Sequence, residues 1–291
     1  MIALTLGLAV FVGISLGLLG GGGSILTVPL LAYVAGMDAK QAIATSLLVV
    51  GVTSAIGAIS HARAGRVQWR TGLIFGGAGM AGAYGGGLLA RFIPGTFLLV
   101  GFAVMMVATA IAMLRGRKEL DAPERGHHLP IPTIIAEGVV VGLVTGLVGA
   151  GGGFLVVPAL ALLGGLPMPI AVGTSLIVIA MKSFAGLAGY LSSVQIDWAM
   201  ALAVTAAAVA GALAGARLTA KVNPDALRKA FGWFVLAMSS VILAQEVHLN
   251  VGIAAATLTA IAAALAFACS RYAHCPLHRL TGSATSGPST A

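Results

Sequence analysis

One lysine stands in the middle of an apolar run. Lys182 lies nine residues after Gly173 and eight before Tyr190, too deep for its stem to reach an aqueous boundary easily. A charge at such depth in hydrocarbon costs at least about 2.5 kcal/mol and by default marks a function. An ammonium held there can neutralise an anion; the competing reading is a structural partner for a carboxylate such as Glu137. Glu137 is the only carboxylate in the apolar run that opens the second half of the chain. It is therefore the candidate for carrying a coupled proton, with an interfacial position near Pro130 as the alternative.

Two glycine clusters supply the second kind of chemistry. Residues Gly20 to Pro29 read GGGGSILTVP and residues Gly149 to Pro158 read GAGGGFLVVP, 129 positions apart. The same offset aligns Gly13 with Gly142, Thr45-Ser46-Leu47 with Thr174-Ser175-Leu176 and Trp69 with Trp198, and it gives 20 identities over the 57 positions from 13 to 69. The chain is an internal duplication. Adjacent glycines each cost a helix about 1 kcal/mol against alanine. In a bilayer the backbone groups they free must line protein or a wet cavity. Broken helices of this kind aim half-helix N-termini at anions. Gly22, Gly23, Ser24, Gly151, Gly152 and Gly153 are accordingly the first binding candidates. The spaced glycines Gly82, Gly86, Gly211 and Gly215 suit close helix packing instead.

Thr45, Ser46, Thr174 and Ser175 offer hydroxyls that could donate to an oxyanion; bonding to their own helix backbone is the equal alternative. In the first half, Thr53 occupies the position of Lys182, so the fold does not demand the charge. His61 and its counterpart Tyr190 mark matching helix ends and are expected to face loops. Arg217 and Lys221 are expected to snorkel to an interface.

These residues must be positioned by membrane-spanning helices. The chain is 59% hydrophobic and 8% charged, with a mean hydropathy of +1.04, against roughly 25% charged residues in soluble domains. Its apolar runs are helix-length and not alternating short strands. The fold class is all-α, a polytopic membrane protein. Residues 1–114 form a first transmembrane repeat, 115–129 a cytoplasmic linker, 130–248 a second repeat, 249–270 an extra transmembrane helix and 271–291 a cytoplasmic tail. The N-terminus has no basic segment ahead of its apolar run and is expected to belong to the mature protein. The net charge of +8 reflects basic loops between spans, which is topology and not a nucleic-acid patch. Cys269, His274, Cys275 and His278 match no zinc spacing, and no metal or cofactor is expected.

Arg63, Arg66 and Arg70 in one loop, and Arg115, Arg117, Lys118 and Arg125 in another, should be cytoplasmic. In the second half the basic residues move to the turn at Lys221, Arg228 and Lys229, so the two halves prefer opposite orientations. Inverted-topology repeats need odd parity. A re-entrant hairpin at each glycine cluster, the expected arrangement, preserves it, as two full spans also would, whereas a single kinked crossing would not.

The paired Gly-rich motifs ending in Val-Pro, with Thr-Ser-Leu at 45–47 and 174–176, resemble the TauE/SafE sulfite exporter family, also called the toluene sulfonate uptake permease family, from about Gly13 to Ser240. The resemblance implies a transporter of sulfite, sulfoacetate or other organosulfonates, generally exporting, with the matching glycine and Thr-Ser positions at the site. The expected protein is a secondary transporter in the bacterial inner membrane, proton-coupled and working by alternating access, with a cytoplasmic C-terminus. A passive anion channel on the same fold is the runner-up. Its expected partners are a small sulfur-containing anion and the lipid bilayer, with room for a homodimer; no motif of an enzyme is present.

Overall fold

The computed structural model describes residues 2–19, 24–114, 131–149, 168–218 and 224–247, with 152, 153, 156, 160, 166 and 257. Every described element is helical: α1 (Ile2–Leu19), α2 (Thr27–Pro29, running into a π turn at Leu30–Val34), α3 (Ala39–Arg63), α4 (Trp69–Leu89), α5 (Gly95–Leu114), α6 (Ile131–Val148), α7 (Met168–Leu191), α8 (Trp198–Leu218) and α9 (Pro224–Glu246). Four of these helices, with spans at 39–63, 69–92, 170–191 and 198–218, are long and apolar enough to cross a membrane. The protein is a polytopic all-α membrane protein. The expected linker at 115–129, the extra helix at 249–270 and the tail with Cys269 and Cys275 lie outside the described residues, apart from Thr257.

Local sequence sets the helix starts. Asp197 caps α8, its Oδ1 accepting from the N–H groups of Ala199 at 3.0 Å and Met200 at 3.2 Å, which satisfies amides that a first turn leaves open. Pro224 opens α9, where its missing N–H and fixed φ cost nothing.

Small residues set the packing between the repeats. In α1 and α8, Gly13 lies against the backbone of Ala208, Gly17 against Ala212, Gly211 against Val10 and Gly215 against Ile14. Moved by the 129-residue offset, with the halves exchanged, these contacts become Gly142 on Gly79, Gly146 on Ala83, Gly82 on Val139 and Gly86 on Leu143, and each occurs between α6 and α4. Close backbone approach through small residues is how membrane helices gain packing without a hydrophobic drive. The first helix of each repeat is clasped by a helix of the other, α1 by α8 and α6 by α4.

The order of contacts gives directions. Positions rise together along α4 and α7, Gly72 meeting Thr174, Gly76 Met181 and Gly87 Gly189, so these helices are parallel. Along α3 and α7 they run oppositely, Gly186 meeting Leu47, Gly51 Phe184 and Gly57 Leu176, so a helix and its own repeat counterpart are antiparallel. Because α6 is also parallel to α4, it is parallel to α7. The chain between α6 and α7 must return, which a single kinked crossing could not do.

α3 and α7 form the centre. In each, 67% of the apolar span is buried inside the protein, against 44% for α4 and 33% for α8, whose remaining surface faces lipid. Trp69 and Trp198 begin α4 and α8 and are exposed, as interfacial tryptophans are. At the end where α3 stops stand Arg63, Arg66 and Arg70, with Arg217 at the end of α8. The opposite end carries Asp38, Lys40, Arg91, Asp197 and Glu246. Contacts across that end fix its membership: Lys40 Nζ donates to the Arg91 carbonyl at 3.1 Å and Gln41 Nε2 to that of Gln195 at 3.4 Å.

Candidate functional site

Lys182 is 1% exposed on α7, and its Nζ donates to Thr145 Oγ1 of α6 at 3.2 Å. Thr145 can accept because its own proton goes to the Val141 carbonyl at 2.8 Å. An ammonium has three N–H donors, and among the described residues Lys182 has no carboxylate partner. Glu137 lies eight residues before Thr145 on α6, about 12 Å along the axis, and is half-buried.

The break after α6 comes directly to this ammonium. Gly149 and Gly152 have φ of +75° and +64°, the left-handed region that glycine enters without strain. A Cβ on Gly152 would collide with Lys182 Nζ and the Thr145 side chain. The Val156 N–H donates to the Gly152 carbonyl at 2.9 Å, an i to i+4 helical bond. The backbone at Gly152 therefore stands beside the lysine side chain, and backbone amides where a helix begins favour an anion as an ammonium does.

The opened helix end is held by the other elements. Tyr190 Oη of α7 donates to the Leu147 carbonyl at 2.5 Å, and Ser46 Oγ of α3 donates to the Gly149 carbonyl at 3.1 Å. Carbonyls freed by a break in hydrocarbon need such donors. Tyr190, expected to face a loop, is instead fully buried, because the backbone it serves lies in the interior. Its counterpart His61 is half-buried beside Gly173.

The remaining expected residues divide. Gly153 is buried and helical next to Gly152. Ser24 is fully buried in the first turn ahead of α2, and Thr45 is fully buried with no hydrogen-bond partner for its Oγ1 among the described residues. Thr174 Oγ1 accepts from the Gln68 N–H at 2.9 Å, and Ser175 Oγ donates to the Val172 carbonyl at 2.8 Å, so both serve the architecture of the first turns of α7. Thr174 lies eight residues from Lys182, about 12 Å along the helix. Gly22, Gly23 and Gly151 lie outside the described residues.

Thr145 was not singled out from the sequence. Its signal is a paired difference between the repeats: Leu16 and Thr53 in the first half become Thr145 and Lys182 in the second. A cavity of about 560 Å³ lies elsewhere, at the N-terminal end of α3, lined by Tyr33, Asp38, Lys40, Thr96 and Glu246 among others. Tyr33 Oη donates there to Glu246 at 3.1 Å. With two carboxylates against one ammonium it is poorly suited to hold an anion. Among the described residues no cluster of His, Cys, Asp and Glu could hold a metal ion.

Comparison with known proteins agrees with this architecture. The chain is similar to a probable membrane transporter protein of Xylella fastidiosa strain Temecula1, 34% identical over 242 residues that cover 81% of this chain and 92% of the relative. It is 30% identical to the probable membrane transporter protein YdhB of Bacillus subtilis over 71% of this chain and 86% of that one. A probable membrane transporter protein of Methanocaldococcus jannaschii is also 30% identical, over 77% and 90%. No solved structure matches. The family described as sulfite exporter TauE/SafE matches residues 5–242. That span takes in both glycine breaks, Lys182 and the reciprocal packing of the repeats, and the chain is a membrane transporter, not an enzyme, of the TauE/SafE sulfite exporter family.

Proposed function

We propose that this transporter exports a small sulfur-containing anion, sulfite or an organosulfonate, by alternating access coupled to protons. The observation that carries the reading is the buried Lys182 side chain set against Gly152, with no carboxylate partner among the described residues. An anion completes that charge balance, and a sulfur oxyanion is the class that the family points to.

The reciprocal packing of α1 on α8 and α6 on α4 supports inverted repeats, and the antiparallel course of α3 and α7 supports the same relation. Two such halves can rock about a shared centre, which is the basis of alternating access in repeat-built transporters. The end with Arg63, Arg66, Arg70 and Arg217 is assigned to the cytoplasm by its excess of arginine, which puts the Asp38–Glu246 end outside; the expected crossing at 249–270 would return the C-terminus inside. Return arms shorter than the bilayer favour re-entrant hairpins: residues 24–34 in the first half make about 16 Å of helix against roughly 30 Å of hydrocarbon. Glu137, on the cytoplasmic side of Lys182, is the assigned proton carrier.

Uptake of sulfite and a panel of sulfonates into proteoliposomes, with and without a pH gradient, tests the reading. Accumulation above equilibrium under the gradient is expected. Flux that only dissipates the anion gradient would mean a channel or uniporter on the same fold, and no flux of any sulfur anion would remove the substrate class.

A further inference from the structure

Ser54 of α3 and Ser183 of α7 are repeat counterparts, 129 positions apart. Each is fully or nearly fully buried, at 2% and 0% exposure, and neither hydroxyl has a hydrogen-bond partner among the described residues. A serine within a helix can hand its proton to the carbonyl one turn back, as neighbouring Thr53 does to Val49 at 2.7 Å. Neither of these two does so. A buried hydroxyl with no partner is destabilising, and its occurrence at both copies of one repeat position calls for a physical reason.

Their place in the fold supplies one. Gly51 and Gly57, three residues either side of Ser54, both pack on α7, so helical spacing puts Ser54 on the face turned to that helix. Ser183 lies two turns from Leu176, which touches Gly57, and adjoins Phe184, which touches Gly51. It therefore faces α3. The contacts run antiparallel, so the two serines flank the middle of the α3–α7 seam. They stand between Ser46, which holds the Gly149 carbonyl, and its counterpart Ser175. Ser183 is also the immediate neighbour of Lys182.

We propose that Ser54 and Ser183 are specificity-determining ligands of the transported anion, donating one hydroxyl each to its oxygens as it passes the centre of the seam. The inference rests on the reading of Lys182 as the anion's ammonium. The lysine supplies the charge, and the serines supply neutral donors that either repeat can present when the halves rock. A ligand with several acceptor oxygens on one centre, such as sulfite or a sulfonate head, can take both hydroxyls while it neutralises the ammonium. A monatomic anion such as chloride offers no separate oxygens to be read in this way.

The test is sulfite binding to purified full-length Ser54→Ala, Ser183→Ala, the double variant and Lys182→Ala, together with their melting temperatures without ligand. Each serine variant is expected to weaken sulfite binding about tenfold and the double variant about a hundredfold, with Ser→Cys at either position intermediate because a thiol is a weaker donor. The ligand-free melting temperature should stay level or rise, since a buried hydroxyl without a partner has been removed. Unchanged affinity in both serine variants with binding lost in Lys182→Ala would overturn this inference and leave the lysine site standing. A lowered ligand-free melting temperature with affinity unchanged would make the serines structural. Affinity lost in the serine variants but kept in Lys182→Ala would refute the lysine reading on which the inference rests. A wild-type protein that binds no sulfite would overturn both.

Discussion

The hydroxyl of Ser46 in α3 donates to the carbonyl oxygen of Gly149 at the broken end of α6, across 103 residues of sequence and from one repeat to the other. Tyr190 meets the Leu147 carbonyl from the opposite neighbour. A helix can stop inside hydrocarbon here because two other helices take over its open backbone. Ser46→Ala and Tyr190→Phe each leave a buried carbonyl without its donor, at a cost of about 1–3 kcal/mol. Thermal unfolding in detergent should show both variants destabilised, with the double variant worse than either; melting temperatures equal to wild type would mean that the break is held by other groups.

Gly152 is the strictest backbone position at the site. Its positive φ resists any L side chain, and an added methyl would meet Lys182 Nζ and Thr145. Gly152→Ala is expected to reach the membrane yet lose transport at least tenfold. Gly77→Ala is the control, since the methyl there enters open space. Equal transport in both variants would separate the break from the site.

The packing of the repeats makes a paired prediction. Gly13 and Gly142 occupy corresponding positions, each against a backbone carbonyl of the other repeat, at Ala208 and Gly79 respectively. Overpacking a close contact costs about 1–3 kcal/mol, so Gly13→Val and Gly142→Val should lower the melting temperature by similar amounts. Gly101→Ala, which meets nothing within 4 Å, should leave it unchanged. A large effect in one half only would contradict the reciprocal clasp.

The orientation is open to labelling. In a background with Cys269 and Cys275 replaced, a cysteine at Arg66 should react with an impermeant maleimide only after the membrane is opened. One at Gln195 should react in intact cells. The reverse pattern would invert the topology proposed from the arginine-rich end.

Coupling through Glu137 makes a further prediction. Glu137→Gln cannot release a proton, so the variant should keep sulfite exchange while losing accumulation driven by a pH gradient. Gradient-driven accumulation at the wild-type level would take the proton path away from α6.

Much of this arrangement could be read from the sequence because a membrane protein writes its strongest constraints locally. Lys182 is visible as a charge in an apolar run, and the duplication is visible as glycine, proline and tryptophan in register. Gly82, Gly86, Gly211 and Gly215 read as packing residues, and all four pack. Contacts between distant segments were not legible. Thr145 meets Lys182 across 37 residues and Tyr190 meets Leu147 across 43, and no periodicity within one helix predicts a partner on another. Thr174 and Ser175 share the type and repeat position of Thr45 and Ser46 yet bond differently, since equivalent residues meet non-equivalent neighbours once the halves diverge. Ser54 and Ser183 read in the sequence as ordinary helix residues; only the structure leaves their hydroxyls without partners among the described residues.

The measurement that tests the central claim most directly is titration of sulfite into purified wild-type protein and into Lys182→Ala and Lys182→Arg, followed by calorimetry. Saturable binding to wild type, loss of at least a hundredfold in Lys182→Ala and partial retention in Lys182→Arg are the expected results. Equal affinity in wild type and Lys182→Ala, with both proteins folded, would contradict the placement of the anion at Lys182 and Gly152.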